Sequence, residues 1–204
     1  LQEVMEFSQE IIDDLETNGI SPKTACQSGC DFCCHSHLRI IPVEALLILS
    51  FIERHFSDTE LSGLEQKISK NIYLTAGKPI EEKFHFKKKT PCVFLENGVC
   101  EIYPVRPFIC RAWNSFDNDL CQSAFNADTY HAEIETSSAR NFVFGLARTL
   151  FVELGLQVNL QSTKLEISQA VSNYMNIDNP LALWLTGYPI FDSDQEFRQV
   201  DDVL

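Results

Sequence analysis

Apolar positions recur at three- and four-residue spacing over residues 2–17, where Val4, Phe7, Ile11 and Leu15 share one helical face. Asn18-Gly19 stops that helix. Residues 21–38 carry no such stripe and are expected to be loop or short turns. Pro42 suits a first helical turn, so a second helix is predicted from there to about His55. Ser57-Asp58 caps a third, with Leu61, Leu64, Ile68 and Ile72 on one face and an end near Gly77. Residues 78–91, "KPIEEKFHFKKKTP", are basic and irregular, the pattern of a solvated connector. Asn97-Gly98 between two apolar runs predicts a β-hairpin with arms at 93–95 and 99–103. A short helical turn, "PVRPFICRAW", follows. A long helix is predicted over 129–153, with Ile134, Phe142, Leu146 and Leu150 facing a core. Thr163 and Glu166 suggest a capping box for a helix to about Met175. Pro180 opens a last short helix, "PLALWLTGY", and the tail after Pro189 is expected to fray.

The pattern adds up to a mainly α chain with one small β-hairpin, in which a cysteine-rich metal-binding loop region packs on a helical bundle. No internal repeat is visible. Residues 1–125 are expected to form a cysteine-cluster domain with its core at about 20–125. Residues 126–204 would be a helical extension packed on the same domain.

The chain has 204 residues, and 45% of them are hydrophobic, enough for a core that does not depend on disulfides. The formal net charge is -13, which argues against a general nucleic-acid binder and against docking on anionic lipid. The longest apolar run, "ALLILSFI" at residues 45–52, is too short to cross a membrane. The first residues are acidic and amphipathic, unlike an export signal, and begin at Leu1 rather than Met, so a trimmed start is expected. A reducing cytoplasm is the expected compartment. Eight cysteines there serve as ligands or catalysts more readily than as disulfides.

Those cysteines fall in two sets. The first is Cys26-x3-Cys30-x2-Cys33-Cys34, followed by His35 and His37. The second is Cys92, Cys100, Cys110 and Cys121. Thiolates so crowded fit a zinc or iron site, which needs several soft donors around one centre. Buried free thiols and disulfides are the alternatives. The hairpin turn would carry Cys92 and Cys100 toward one point. Adjacent Cys33 and Cys34 leave the backbone in different directions, so they serve two centres or divide between ligand and supporting roles. Eight thiols would fill two four-thiolate sites, and the two sets are expected to meet in one compact site or two close ones. His35 and His37 are candidate ligands or proton carriers, whereas His55, His85 and His131 stand in no constellation. Arg106 and Arg111 bracket Cys110, either to offset thiolate charge or as structural pairs.

The spacing Cys26-x3-Cys30-x2-Cys33, with Phe32 before the last, is similar to a radical-SAM cluster loop. A helix precedes it here, however, and no βαβ pattern follows. "CQSGCDFCC" and "PCVFLENGVCEIYPVRPFICR" together resemble the YkgJ-like cysteine-cluster family, a zinc- or iron-chelating domain of CxxCxxCC type. The resemblance covers about residues 20–125. It implies metal chelation by Cys26, Cys30, Cys33, Cys34, Cys92, Cys100 and Cys110, with Cys121 beyond the core pattern. A similar domain occurs in flagellin lysine N-methylases, which makes methyl transfer one chemistry by analogy. Ala112-Trp113 follows the Cys-Arg pair where a simpler aromatic continuation is common; Trp113 would wall the site or fill core.

Three functions remain open on this reading. The chain is a metal or iron–sulfur protein for metal handling or electron transfer, a cluster-dependent enzyme such as a protein methyltransferase, or a structural zinc module. In the last case the C-terminal helices bind a protein partner. No general base, nucleophile or phosphate loop stands out, so whether the chain is an enzyme is left open.

Overall fold

The computed structural model describes residues 1–127 and 134–190. The expected helical start at 129–133, His131 and the tail from 191 onward lie outside the described residues.

Helix α1 (Gln2–Thr17) ends at Asn18, as the sequence predicts, but it buries Met5, Ser8 and Ile12. Val4 and Phe7 of the predicted stripe face outward, and Phe7 is 62% exposed. Two apolar stripes offset by one residue compete on this helix, and the one with Met5 and Ile12 wins the contact with helix α7 (Ser138–Gln157). Helix α7 makes the same substitution. Phe142, Leu146 and Leu150 are exposed, at 69%, 48% and 53%, while Phe144, Ala147, Arg148 and Gly155 are buried. Small residues allow the close approach that Leu146 and Leu150 would block. A Cβ on Gly155 would collide with Ser162 Oγ. Ile134 precedes the helix, which starts four residues later behind Ser137, whose Oγ accepts from Arg140 N at 3.3 Å.

Helices α2 (Pro42–His55) and α3 (Asp58–Thr75) follow the predicted bounds closely. Ser57 and Glu60 form a full capping box at the start of α3. The basic connector contains one short helix, α4 (Ile80–Phe84). The hairpin is shorter than expected: β2 (Leu95–Glu96) pairs antiparallel with β3 (Val99–Cys100). Asn97 and Gly98 both take positive φ, 50° and 78°, the left-handed pair that a two-residue hairpin turn requires. A second strand pair was not anticipated. Strand β1 (Arg39–Ile40) runs antiparallel to β4 (Leu165–Glu166).

Helix α8 (Ile167–Met175) is capped by Glu166 itself, whose carboxylate accepts from Ser168 N and Gln169 N. This corrects the predicted box in which Thr163 was the cap: Glu166 ends a paired strand, so the helix must begin one residue later. Helices α5 (Phe108–Ala112), α6 (Asn118–Asn126) and α9 (Pro180–Leu185) complete the set.

The chain is thus mainly α, with two small antiparallel strand pairs among the described residues. The buried side chains described form two hydrophobic clusters. One joins α2, α3, α8 and the approach to the hairpin, with Ile48, Ile68, Phe94 and Tyr174 at its centre. The other joins α1, α5 and α7 through Met5, Ile12, Phe108 and Phe144.

Candidate metal centre

The second cysteine set is held by framework. Asn71, buried on α3, donates Nδ2 to Pro91 O at 2.7 Å and fixes the chain just before Cys92. Cys100 lies on β3 opposite Leu95, and Glu101 N donates to Phe94 O at 2.9 Å, so the hairpin pairing continues past its two strand pairs. Cys92 and Cys100 both pack against the first hydrophobic cluster. Cys110 lies on α5 between Phe108 and Ala112, which sit in the second cluster. These thiols therefore stand at the join between the clusters.

Glu44 ties that join together. Its carboxylate is fully buried on α2, accepting from Ile41 N at 2.8 Å and from Phe108 N at 2.7 Å. One side chain thus caps α2 and fixes the start of the helix that carries Cys110. Burial pushes the Glu44 carboxyl above its usual range, against the charge of Arg148 and the two N–H donors. Arg111, also buried, donates Nε to Arg106 O and a terminal nitrogen to Pro104 O, both at 2.9 Å. It therefore braces the 3-10 turn Tyr103–Val105 against α5.

The first set has little structure of its own. Phe32–His35 is a single 3-10 turn. The loop is fixed from outside: Ala25 N donates to Ser115 O at 2.8 Å, and Cys92 N donates to Cys34 O at 2.6 Å. The second bond brings the two cysteine sets into direct contact. At the outer end, Cys26 Sγ lies 4.0 Å from Ser115 O, and Cys30 Sγ lies 3.8 Å from Asn118 Oδ1. Helix α6, which carries Cys121, packs on the 3-10 turn, with Phe125 tilted against Phe32 and His35 at ring separations of 5.8 and 4.7 Å.

Electrostatics binds these thiols into one system. A hydrogen bond from Cys34, aided by the charge of Arg106, draws the Cys33 thiol down to about 7. The same bond, then burial and the fields of Cys33, Cys92 and Cys100, pushes Cys34 far above the normal thiol range. Burial pushes Cys92 up to about 12 and raises Cys100 and Cys110 as well. Cys30 is raised first by burial and then by Cys26, Cys33 and Cys121. Cys33 thus ionises more easily than an ordinary thiol, whereas the raised thiols would give up their protons more readily to an incoming cation.

The histidines are otherwise engaged. His35 Nδ1 meets Lys87 O at 3.0 Å, and its Nε2 faces Asp31 at 3.9 Å. His37 is half-buried near Thr90 Oγ1 at 3.5 Å, and desolvation with the charge of Lys83 lowers it to about 4. The His55 ring lies tilted against Phe51, and His85 lies at the edge of Phe84. Trp113 is 42% exposed and does not fill core. The roles of Glu44 and Asn118 were missed in the sequence. Glu44 had a readable signal, an acid set in the apolar run "PVEALLIL". Asn118 had none, because only the fold brings it to Cys30.

Among the described residues, no group of three or more His, Cys, Asp or Glu side chains stands ready-made to hold a metal ion. The donors nonetheless suit one. The Nε of Arg106 is buried without a hydrogen-bond acceptor among the described residues, in a side chain whose charge acts on Cys33 and Cys100. Metal-bound thiolate sulfur is an acceptor of the kind this group lacks. Closure of the thiols and metal binding would then be one event.

Eight free thiols, with the buried Nε of Arg106 lacking an acceptor among the described residues, are the donor chemistry of a thiol-rich metal-binding protein. The chain belongs to the CxxCxxCC family, described as "Putative zinc- or iron-chelating domain", which matches residues 25–131 and so takes in all eight cysteines. No curated protein and no solved structure matches the chain. Among the described residues, no helix is long and apolar enough to cross a membrane.

Proposed function

We propose that this chain holds zinc or iron through its clustered thiolates, with an iron–sulfur cluster as the native group and zinc in its place after exposure to air. The observation that carries this reading is the meeting of the two cysteine sets at the Cys34–Cys92 backbone bond, beside the unpaired Nε of Arg106. Four sulfur donors satisfy zinc in a closed tetrahedron and equally suit iron–sulfur ligation. When bound, such a group cross-links the two hydrophobic clusters and, as an iron centre, stores an electron. The chain's own residues do the rest. Glu44 and Asn71 hold the framework, and Arg106 offsets negative charge. The role that follows is metal handling or electron transfer in a reducing compartment, where the thiols stay free.

The test is a paired preparation. One sample is made in air, the other anaerobically with iron and sulfide supplied; zinc, iron and acid-labile sulfide are then measured. Zinc is expected from the first, and iron with sulfide from the second. Zinc alone in both removes the cluster and leaves a zinc module. Neither metal in either sample overturns chelation.

A further inference from the structure

Helix α7 is apolar on two faces. Its inner face, with Phe144 and Ala147, joins the second hydrophobic cluster against α1 and α5. Its outer face carries Phe142, Leu146, Leu150 and Leu154, all four exposed. A helix that is apolar all round belongs in an interior, and among the described residues the outer face has no cover. Exposed apolar side chains standing singly are ordinary, whereas a continuous row is not. The exposed surface of these four amounts to about 400 Å², a size at which a patch on a monomer often marks an interaction site.

The four side chains recur at four-residue spacing, so they form one slanted ridge along the helix. The row beside that ridge begins with Gly145 and Thr149. A glycine inside a helix weakens it, so its presence asks for a reason in packing. Gly155 has its reason within the chain, because Ser162 crowds it. Gly145 does not: an added Cβ there would meet no atom within 4 Å among the described residues. Its effect is to lower the row beside Leu146 and leave a shallow socket next to the leucine ridge.

We propose that this face is the core of a symmetric dimer of two copies of this chain. A two-fold interface uses one patch twice, so the patch must complement itself. Here Leu146 and Leu150 are the knobs, and the row of Gly145 and Thr149 is the socket for the same leucines of the second copy. Two identical ridges of four-residue spacing interlock when the helices cross at about −50°. The two-fold axis then passes between Leu146 and Leu150, with Phe142 and Leu154 at the flanks. The area fits a dimer, because a stable interface buries about 800 Å² on each side as an apolar core within a polar rim. The ridge supplies that core. In a chain of formal net charge -13, the ridge, Gly145 and Thr149 carry no ionisable group, so two copies meet there without opposing charge.

The experiment measures the mass of the full chain by sedimentation equilibrium from micromolar to millimolar concentration, with a reductant present to prevent disulfides between copies. Wild type is expected to reach twice its chain mass of 23.2 kDa. The double variant Leu146→Glu/Leu150→Glu places like charges across the two-fold axis and should stay monomeric, with unchanged far-UV circular dichroism because both positions are exposed. Gly145→Gln separates the interface from the helix itself. The new side chain has room in the monomer and favours the helix, so the urea midpoint of the dilute chain should rise. It fills the socket, so dimer dissociation should become easier by about tenfold or more. A wild type that stays monomeric overturns the proposal, whether another protein or a segment of the chain itself takes the ridge. A dimer that persists with glutamate at both leucines, or that Gly145→Gln leaves untouched, uses another face and overturns it as well.

Discussion

The segment at residues 26–37 carries four cysteines and the segment at residues 92–113 carries three, and the two are held by different means. The later segment is framework. A hairpin, a 3-10 turn and α5 present its thiols, and Asn71, Glu44 and Arg111 pin these elements to α3, α2 and one another. The earlier segment is a guest on that framework. It has one 3-10 turn and borrows its position from Ser115, Lys87 and Cys92. Both offer the same thiol, yet burial and backing make one set resident and the other adjustable. Substitutions on the two sides should therefore part company in stability even where both lose metal.

The largest expected effect is on the framework side. Cys110→Ser removes a soft donor and leaves a hydroxyl in a half-buried place on α5 between Phe108 and Ala112. In the zinc-loaded chain this should cost several kcal/mol, because the energy of binding is also energy of folding. Urea unfolding with and without chelator measures it. If wild type and variant unfold alike when loaded, the framework thiols do not hold the metal.

Glu44→Ala comes next. It strands the N–H groups of Ile41 and Phe108 in the interior, and each unsatisfied buried group costs about 1–3 kcal/mol, so about 3 kcal/mol is expected. Glu44→Gln keeps one carbonyl acceptor and should cost about 1 kcal/mol. Equal stability of wild type and Glu44→Ala would show that α5 is placed by apolar packing alone.

His37 gives the guest segment a titrating anchor. Its folded value of about 4 lies below the ordinary 6.5. The unfolded chain therefore binds the proton more readily between those values. The stability from neutral His37 is complete above about pH 6.5 and is lost as pH falls toward 4. The ceiling on that loss is about 3 kcal/mol. Urea midpoints of the zinc-free chain from pH 7 to 4 should fall more steeply in wild type than in His37→Gln. Parallel curves would place His37 in water.

The same contrast governs what could be read from the sequence. Helices α2 and α3 were legible because Pro42, Ser57 and Glu60 act locally and their apolar stripes have no competitor. The hairpin was legible because Asn97-Gly98 dictates its own turn. On α1 and α7 the period was right and the face wrong, since the choice between Phe7 and Met5, or Leu146 and Ala147, is made by a partner distant in the chain. Strand pair β1–β4 joins residues 39–40 to 165–166, which no local pattern announces. At the site, all eight cysteines were visible as candidate donors. Their arrangement was not, because it depends on the 3-10 turn at Phe32–His35 and on α6 folding back to Cys30.

The smallest expected effect on stability is at Cys26, which makes it the sharpest test of the contrast. The side chain is exposed, and its one polar contact is the 4.0 Å approach to Ser115 O, long even for sulfur. The loop around it is fixed by the neighbouring bond from Ala25 N to the same carbonyl, which a change of side chain leaves intact. Cys26→Ser should therefore shift the stability of the metal-free chain by no more than about 0.5 kcal/mol, the range of surface substitutions. Zinc release to a chelator should nevertheless quicken, because a hydroxyl is a poor donor to a thiophilic ion. A loss of several kcal/mol in the metal-free chain would mean that the loop carries structural weight of its own, and the distinction between framework and guest would fall.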